Sequence, residues 1–341
     1  MTAKARSRLL IALSVGLVLV LGACGRGLPQ NTLDPAGPTA RGIDRLFDPV
    51  FWIAAVVFFL VEGLLVYSVI RFRHRPGARV PVQVHGNRRA EIAWTIAPAF
   101  LLAIIAVPTM VKIFSLYRTP EHALTVEVTG HQWWWDVKYP SLGLETANEI
   151  HIPVGQQIFV KVTSYDVIHS FWVPRLAGKQ DLEPGKVNHI TMQADSAGTY
   201  LGQCAEFCGT SHANMRLRVM AQTPADFQTW AAGQQDPAAQ PSEDVLAILQ
   251  GTSTRQSCGG CHTISGVRLG GVEAFQGIIG PNLTHFGSRT TFAGSIFPNT
   301  PQELAAWLRD PPARKAGADM PNLGLSEQEI QALVTYLEGL K

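Results

Sequence analysis

Two long apolar stretches constrain the fold of this 341-residue chain more than any other feature. They run from about Phe51 to Ile70 and from about Ile92 to Leu116. Each is close to the roughly 20 residues that a helix needs to cross a bilayer. Arginines crowd the short segment between them, and such loops stay on the cytoplasmic side. The pattern predicts a two-helix transmembrane hairpin over residues 40–116, with the rest of the chain outside.

Residues 1–24 have the features of an export signal. Basic residues precede an apolar run, which ends in the small residues Gly22 and Ala23. The ending from Leu21 to Cys24 resembles a bacterial lipobox, which predicts lipidation of Cys24. An ordinary signal with an incidental cysteine is the alternative. We therefore expect a two-pass protein of the bacterial cytoplasmic membrane, with its folded domains on the outer, periplasmic side.

The exported part divides into two predicted domains. From residue 122 to 222, short alternating runs are separated by Gly and Pro, which indicates an all-β sandwich or Greek-key barrel. An Ala/Gln/Pro-rich stretch at 231–241 is typical of a flexible linker. Residues 242–341 form the second domain, and Ser326 with Glu329 predicts a capping box at the start of its last helix.

Two cysteines, a histidine and a methionine lie within the segment Cys204–Met215. Thiolate, imidazole and thioether groups select copper or zinc over hard cations, and His169 is the best upstream candidate for a further ligand. Zinc is the competing interpretation, because two cysteines and two histidines are a common zinc set. The methionine favours copper, since a long axial thioether is typical of cupredoxin electron-transfer sites. With two cysteines, both sulfurs can bridge two copper ions.

The segment Cys258-Gly259-Gly260-Cys261-His262 is a motif for covalent attachment of c-type haem. A redox dithiol is the weaker alternative, because His262 follows the second cysteine directly. Met320 is the only methionine after the motif and is the predicted second axial ligand. His285 is its rival. A Met/His pair raises the potential of a haem, so this domain is predicted to be an all-α cytochrome c that takes part in electron transfer.

The first of these segments resembles the dinuclear CuA motif of cytochrome c oxidase subunit II, Cys-x-Glu-x-Cys-x-x-x-His-x-x-Met with an upstream His-Ser-Phe, at every position. The resemblance implies a role for each matching residue. Cys204 and Cys208 bridge the two coppers, His169 and His212 bind one ion each, Met215 completes one ion, and the backbone carbonyl of Glu206 completes the other. It also implies that the Glu206 carboxylate faces a Mg²⁺ or Mn²⁺ ion at the interface with subunit I.

Two further segments resemble the same family. The segment Gly130-His131-Gln132-Trp133-Trp134-Trp135 is similar to its aromatic electron-receiving patch, and Trp133 occupies the receiving position. Plain core or interface packing is the alternative for a tryptophan run. The segment from Glu91 to Pro98 is similar to the start of the family's second membrane span, which places Glu91 at the mouth of a proton channel in subunit I.

The resemblance covers residues 40–222 as subunit II and residues 240–341 as a fused class I cytochrome c. It implies a multi-domain chain: a two-helix transmembrane hairpin, an all-β cupredoxin-like Greek-key domain and an all-α cytochrome c domain. The implied function is the passage of electrons from cytochrome c or an upstream respiratory complex, through haem c and CuA, to subunit I. There oxygen becomes water, coupled to proton pumping, and subunit III is a further expected partner.

Other classes of protein fit the sequence less well. A net charge of +2 with 16% charged residues does not indicate a nucleic-acid-binding surface. An exported copper-binding protein or metallochaperone would explain the sulfur and histidine ligands but not the haem motif. A nitrous or nitric oxide reductase component shares only CuA or haem c with such a chain. A quinol-oxidase subunit would be expected to lack the copper ligands. For the five cysteines, two ordinary disulfides with a spare thiol are the alternative to metal and haem binding.

Overall fold

The computed structural model describes residues 11, 14–16, 28–74, 76–77, 82–83, 85–252 and 255–341. Cys24 and most of the export signal lie outside the described residues, so lipidation stays a prediction. Within the described ranges the chain forms a pair of long helices, a β-sandwich and a C-terminal domain that contains helices and two short hairpins. The predicted fold class is confirmed in all three parts.

The two long helices are α1 (Pro38–Arg71) and α2 (Arg88–Leu116). Proline suits the first turn of α1 because its missing N–H would have no helical partner there. The Asn87 side chain caps α2 by accepting hydrogen bonds from the backbone N–H groups of Arg89 and Ala90. The most apolar windows of the two helices have mean hydropathies of 2.5 and 2.2 and are exposed throughout. Both helices are long and apolar enough to cross a membrane.

Both helices meet the β-sandwich at the same end of the hairpin. Just before α1, the backbone N–H of Ala36 donates to the carbonyl of Arg175 at 2.7 Å. Just after α2, the carbonyl of Tyr117 accepts from Nε2 of His189 at 3.0 Å. The arginine-rich segment 72–87 joins the opposite ends of the two helices. Arg71, Arg88 and Arg89 therefore lie at the end of the hairpin opposite the sandwich.

The sandwich consists of two five-stranded sheets. One has the order β3-β2-β1-β5-β8 and the other β4-β10-β9-β6-β7. The strands are β1 (Leu124–His131), β2 (Trp134–Tyr139), β3 (Leu144–Ala147), β4 (Glu149–Pro153), β5 (Ile158–Ser164), β6 (His169–Trp172), β7 (Lys179–Leu182), β8 (Asn188–Met192), β9 (Gly198–Cys204) and β10 (Arg216–Gln222). Strands β1 and β5 pair in parallel, as do β4 and β10.

Alternation along the strands builds the core of the sandwich. Val126 and Val128 of β1 lie opposite Val160 and Val162 of β5, and all four side chains are buried. Because successive side chains of a strand point to opposite faces, every second residue enters the core. The ring of Trp135 is fully buried among them. The same core continues to the cysteines and the methionine of the predicted copper segment.

Helix α3 (Pro224–Gly233) follows β10 and includes the first residues of the predicted linker 231–241. Part of the rest of that stretch packs against the C-terminal domain. Ala238 is buried in the core of the C-terminal domain, and its N–H donates to the carbonyl of Ser265 at 3.0 Å. Composition alone predicts a flexible linker here, and that flexibility stays a prediction. Ala238 nevertheless packs against apolar side chains of the C-terminal domain.

The C-terminal domain contains four helices and two short hairpins. Its capping box between Ser326 and Glu329 is confirmed. Four apolar side chains of the last helix are buried, as its spacing predicts. The elements are α4 (Glu243–Gln250), β11 (Arg268–Leu269), β12 (Val272–Glu273), β13 (Thr291–Phe292), β14 (Phe297–Pro298), α5 (Pro301–Arg309), α6 (Pro311–Arg314) and α7 (Glu327–Gly339).

Candidate copper and haem centres

Strand pairing brings the distant His169 to the copper segment. His169 is the first residue of β6, and Cys204 is the last residue of β9. The two strands are antiparallel neighbours, with Phe171 opposite Cys204. The loop after Cys204 returns at Met215, whose carbonyl accepts a 2.9 Å hydrogen bond from the N–H of Cys204. The sheet therefore closes the loop and places all the predicted ligands at one end of the sandwich.

Two sulfurs form the centre of this site. Sγ of Cys204 lies 3.7 Å from Sγ of Cys208. Nδ1 of His169 lies 3.9 Å from the first sulfur, and Nδ1 of His212 lies 3.6 Å from the second. Each thiol therefore has its own imidazole. Both cysteines and His169 are buried, whereas His212 is partly exposed.

The remaining predicted ligands flank the same sulfurs. Sδ of Met215 lies 3.9 Å from Sγ of Cys208, and the backbone carbonyl of Glu206 lies 3.2 Å from Sγ of Cys204. The two groups thus lie on opposite thiols. The structure brings all six predicted ligand groups together.

The donor set fits two ions better than one. In the described part of the chain, the ligand atoms of His169, Cys204 and Cys208 all lie within 4.8 Å of one another, and His212 is not in that group. A single tetrahedral zinc needs four ligand atoms around one point. The soft donors, the thioether and the split of the histidines between the two thiols fit a dinuclear copper site with bridging sulfurs.

Electrostatics around the sulfurs favour metal binding. The contact between the two sulfurs is the main cause that lowers the pKa of Cys204 to about 3 and raises the pKa of Cys208. It therefore favours a thiolate at Cys204, the form that binds metal. Burial alone would lower the pKa of His169, but its hydrogen bond to Asp166 and its contact with Cys204 raise it. Nε2 of His169 lies 2.8 Å from Oδ1 of Asp166, which leaves Nδ1 facing the sulfur.

Trp133 lies between the segment Cys204–Met215, called the copper ligand loop, and the C-terminal domain. Its indole Nε1 donates to the carbonyl of Cys208 at 3.0 Å. On the other side its own carbonyl accepts from Nζ of Lys315 at 2.6 Å. A Cβ added to Gly317 would lie only 2.8 Å from the indole ring, so the chain approaches the ring closely there. The ring is half-buried and has contacts with both domains.

The haem motif lines a large cavity that also reaches Trp133. The cavity is open to solvent on one side. Cys258, Cys261, His262 and Met320 all contribute to its wall. Nδ1 of His262 donates to the carbonyl of Pro281 at 2.7 Å, which leaves Nε2 to bind iron. Burial lowers the pKa of His262, which favours the neutral imidazole that a metal ligand requires.

The residues present fit a covalently attached haem. Both cysteines are free thiols beside the histidine, and burial raises the pKa of Cys258. A Cβ at Gly280 would lie 2.5 Å from the His262 ring, so the loop packs directly on the imidazole. Met320 shares the cavity wall with His262. His285 is buried, but among the described residues it is not part of that wall.

The two remaining site predictions lie at the surface of this chain. The Glu206 side chain is exposed in the copper ligand loop. Glu91 lies in the first turn of α2, where its Oε1 accepts from the N–H of Asn87 at 3.2 Å. It therefore also helps to cap the helix. Their roles toward a partner subunit stay predictions.

Sequence reasoning missed several residues that support these sites. Asp166 holds His169, and a carboxylate three residues before a histidine could have indicated this. Lys315 donates to Trp133 and to the carbonyl of Ala293 at 2.9 Å, and burial lowers its pKa to about 7. No pattern near Lys315 indicates that contact.

Profiles of known families match most of the chain. The cytochrome c oxidase subunit II transmembrane domain matches residues 28–111, its periplasmic domain matches residues 141–222, and cytochrome c matches residues 251–341. The chain belongs to the cytochrome c oxidase subunit II family. The predicted family is thereby confirmed. Like the relatives named below, this subunit II chain is part of a haem-copper oxidase and is anchored in the membrane by its helices.

Relatives align over nearly the full length of this subunit II. Cytochrome c oxidase subunit 2 of Alkalihalophilus pseudofirmus is 36% identical over 95% of either chain, and that of Bacillus subtilis is 33% identical over 98% of either chain. The crystal structure of the periplasmic domain of subunit II from Bradyrhizobium japonicum is 32% identical and covers 35% of this chain and 97% of its own, with a TM-score of 0.34. The subunit II domain implies CuA copper, and the cytochrome c domain implies haem c.

Proposed function

We propose that this subunit II chain conducts electrons from a donor, by way of haem c and then CuA, to subunit I of a terminal oxidase. There oxygen is reduced to water, coupled to proton pumping. The donor is cytochrome c or an upstream respiratory complex, and subunit III is a further partner. The two groups supply one-electron carriers when they are bound, and the protein holds them and sets the path between them.

The position of Trp133 carries this proposal. The indole N–H is bonded to the carbonyl of Cys208, and the other edge of the ring faces Gly317 of the cytochrome domain. Trp133 also lines the haem cavity. One aromatic side chain thus contacts the copper ligand loop and the haem domain. We infer that Trp133 receives electrons from the fused haem domain of the same chain.

The residues proposed for CuA hold two ions in a stiff frame. Cys204 and Cys208 would be shared by the two ions, His169 and His212 would each bind one ion, and Met215 and the Glu206 carbonyl would complete the ligand set. Both cysteines and Met215 belong to the packed core of the sandwich. Protein interiors are close-packed, so the ligands move little when the charge of the site changes, which favours fast electron transfer.

Burial distinguishes this function from copper delivery. A metallochaperone must present its ligands to a second protein, whereas Met215 and His169 are completely buried here, and Cys204 is 4% exposed. Only His212 of the imidazoles reaches the surface. Such a site is built to retain copper.

Several finer roles belong to the same proposal. Met320 would supply the second protein ligand to haem c, and its place in the same cavity wall as His262 supports this role. The exposed Glu206 carboxylate binds Mg²⁺ or Mn²⁺ against subunit I, and Glu91 lies at a proton-channel mouth there. The hairpin lies in the bacterial cytoplasmic membrane, with both metal domains outside, because arginines occupy its other end.

The test uses the purified oxidase with haem and copper incorporated. We expect a mixed-valence copper signal in paramagnetic resonance beside a c-type haem band, and light-triggered reduction of haem c should be followed by reduction of CuA. Trp133→Phe should slow that second step at least about tenfold, equivalent to about 1.4 kcal/mol in the barrier, with both spectra unchanged. A zinc-filled, silent site, or reduced haem that never delivers its electron to copper, would overturn the proposal.

A further inference from the structure

Glu149 makes a contact between the two domains that neither metal site explains. It begins β4 of the sandwich and has no exposed surface. Its Oε1 accepts hydrogen bonds from the backbone N–H groups of Thr290 and Thr291, at 2.8 and 3.0 Å. The hydroxyl groups of both threonines donate to the same oxygen. All four donors belong to the cytochrome domain.

The charge of this carboxylate is stabilised by the contact. A buried carboxylate without partners is strongly destabilising. Burial would raise the pKa of Glu149, but its contacts with His151 and Thr290 outweigh burial and lower it. Nε2 of His151 lies 3.8 Å from the second oxygen, Oε2. The guanidinium of Arg289, the residue before Thr290, is buried on the cytochrome side. It carries the opposite charge to Glu149, and the two groups interact electrostatically.

The contact continues from Glu149 to Trp133 through the turn between β13 and β14. Thr291 begins β13, and within the turn the carbonyl of Ala293 accepts from Nζ of Lys315 at 2.9 Å. The same ammonium group donates to the carbonyl of Trp133. The next residue, Gly294, accepts at its carbonyl from the N–H of Arg216 at 2.9 Å. One hairpin of the cytochrome domain therefore joins the carboxylate to the tryptophan.

We propose that Glu149 is a positioning residue that locks the cytochrome domain onto the sandwich in the orientation where Trp133 meets Gly317. It contacts neither metal centre. It sets the rate at which electrons pass between them by holding the hairpin of β13 and β14 in place. The inference rests on the proposed electron path and adds a residue that controls it.

The test compares variants of the assembled oxidase. Glu149→Leu removes both oxygens at similar size, and Glu149→Gln keeps one acceptor oxygen. Glu127→Leu is the matched control, because Glu127 is partly exposed and pairs at 3.2 Å with Lys161 of the same domain. Two quantities are measured: the rate of haem-to-copper electron transfer after light-triggered reduction, and hydrogen exchange of the peptide that contains Thr290 and Thr291.

We expect Glu149→Leu to slow electron transfer at least about tenfold and to speed exchange of that peptide, while the copper and haem spectra stay as in the parent. The transfer and exchange rates of Glu149→Gln should lie between those of the parent and of Glu149→Leu, and the rates of Glu127→Leu should match those of the parent. Thr290→Val, which removes a donor without changing the sandwich, should reproduce part of the effect and add little to Glu149→Leu.

Two outcomes would overturn the inference: equal transfer rates in Glu149→Leu and Glu127→Leu, or unchanged hydrogen exchange at the threonines. If Glu149→Leu loses its copper spectrum, the result of Thr290→Val decides the question. A transfer rate and a hydrogen exchange equal to those of the parent in Thr290→Val would also overturn the inference. Failure of the electron path itself would look different, because the parent oxidase would then show no transfer from haem c to copper.

Discussion

The two histidines at the centres of the copper and haem sites are held by opposite ring nitrogens. Asp166 bonds to Nε2 of His169, so Nδ1 faces the sulfurs. The carbonyl of Pro281 bonds to Nδ1 of His262, so Nε2 is free for iron. A partner on one nitrogen fixes which nitrogen binds metal. Single hydrogen bonds from residues that bind no metal thus decide how each ligand is presented.

Loss of the partner of His169 should weaken copper binding. Asp166→Asn replaces the carboxylate by a weaker acceptor, and changes of this kind cost about 10–100-fold in metal affinity. Competition with a copper chelator, followed by paramagnetic resonance, measures this. Asp181→Asn is the control, because Asp181 is partly exposed and its carboxylate pairs with Lys179 at 3.6 Å. Equal copper retention in both variants would show that Asp166 does not orient the ligand.

The close approach at Gly317 gives a second prediction. Its φ is +79°, and a Cβ would lie 2.8 Å from the Trp133 ring. Gly317→Ala should therefore push the loop away and slow haem-to-copper transfer about tenfold or more. Gly324→Ala is a matched control, since Gly324 has a φ of +63° but open space around it. Both variants suffer backbone strain, so only a difference between them reports the contact. Equal rates would contradict the prediction.

The axial ligand is testable at the same scale. Met320→Ala should lower the potential of haem c, because a methionine opposite a histidine raises it. A redox titration followed at the haem band measures the shift. His285→Leu should leave the potential as it is, since His285 is not part of the described cavity wall. A shift in the second variant and none in the first would reverse the assignment.

At the scale of elements, strand β1 ends in an aromatic stack that makes stability depend on pH. The ring of His131 stacks on Trp134 at 4.3 Å and on Tyr165 at 4.8 Å. Burial is the main cause that lowers the pKa of His131 from 6.5 to about 4. The unfolded chain therefore binds a proton at a higher pH than the folded one. Stability should fall as pH falls from about 6.5 to 4.

His131→Gln removes this titration. The parent should lose up to roughly 3 kcal/mol more than the variant across that pH range, at about 1.4 kcal/mol for each unit of pKa difference. Denaturant unfolding of the copper-loaded protein, followed by tryptophan fluorescence, measures both profiles. Parallel profiles would show that His131 titrates alike in the folded and unfolded states.

At the scale of the whole molecule, the cytochrome domain covers the surface where an external donor would meet Trp133. Glu145 of the sandwich accepts from Nδ2 of Asn282 of the cytochrome domain at 3.3 Å. The partly exposed acid Glu127 pairs with Lys161. The fused domain thus occupies the aromatic patch itself. An external donor would then deliver its electron to the haem domain.

Removal of residues 234–341 should open this surface. We expect the shortened chain to keep its copper signal, because every proposed copper ligand lies in the sandwich, and to accept electrons at CuA directly from a soluble cytochrome c. The full-length chain should show reduction of haem c first. Stopped-flow absorption separates the two orders of reduction. A shortened chain that keeps copper but gains no direct reduction would contradict the covering role.

Local sequence was sufficient for the parts of this protein whose chemistry is encoded at short spacing. The helical spans follow from runs of apolar residues, and the haem motif and the segment Cys204–Met215 carry their ligands within a few residues of one another. Only His169 required a partner from another strand. Covalent and metal chemistry restricts residue types strongly at those positions, which is why the family could be identified from them.

The arrangement of the two domains was decided by tertiary structure alone. Glu149 lies 141 residues before Thr290, and Lys315 lies 182 residues after Trp133. Contacts across such separations leave no periodicity or spacing in the chain, and a buried glutamate cannot be distinguished from a surface one by its neighbours. Only packing of the two folded domains brings these groups together. The buried charge of Glu149 requires hydrogen-bond partners, and the cytochrome domain supplies them.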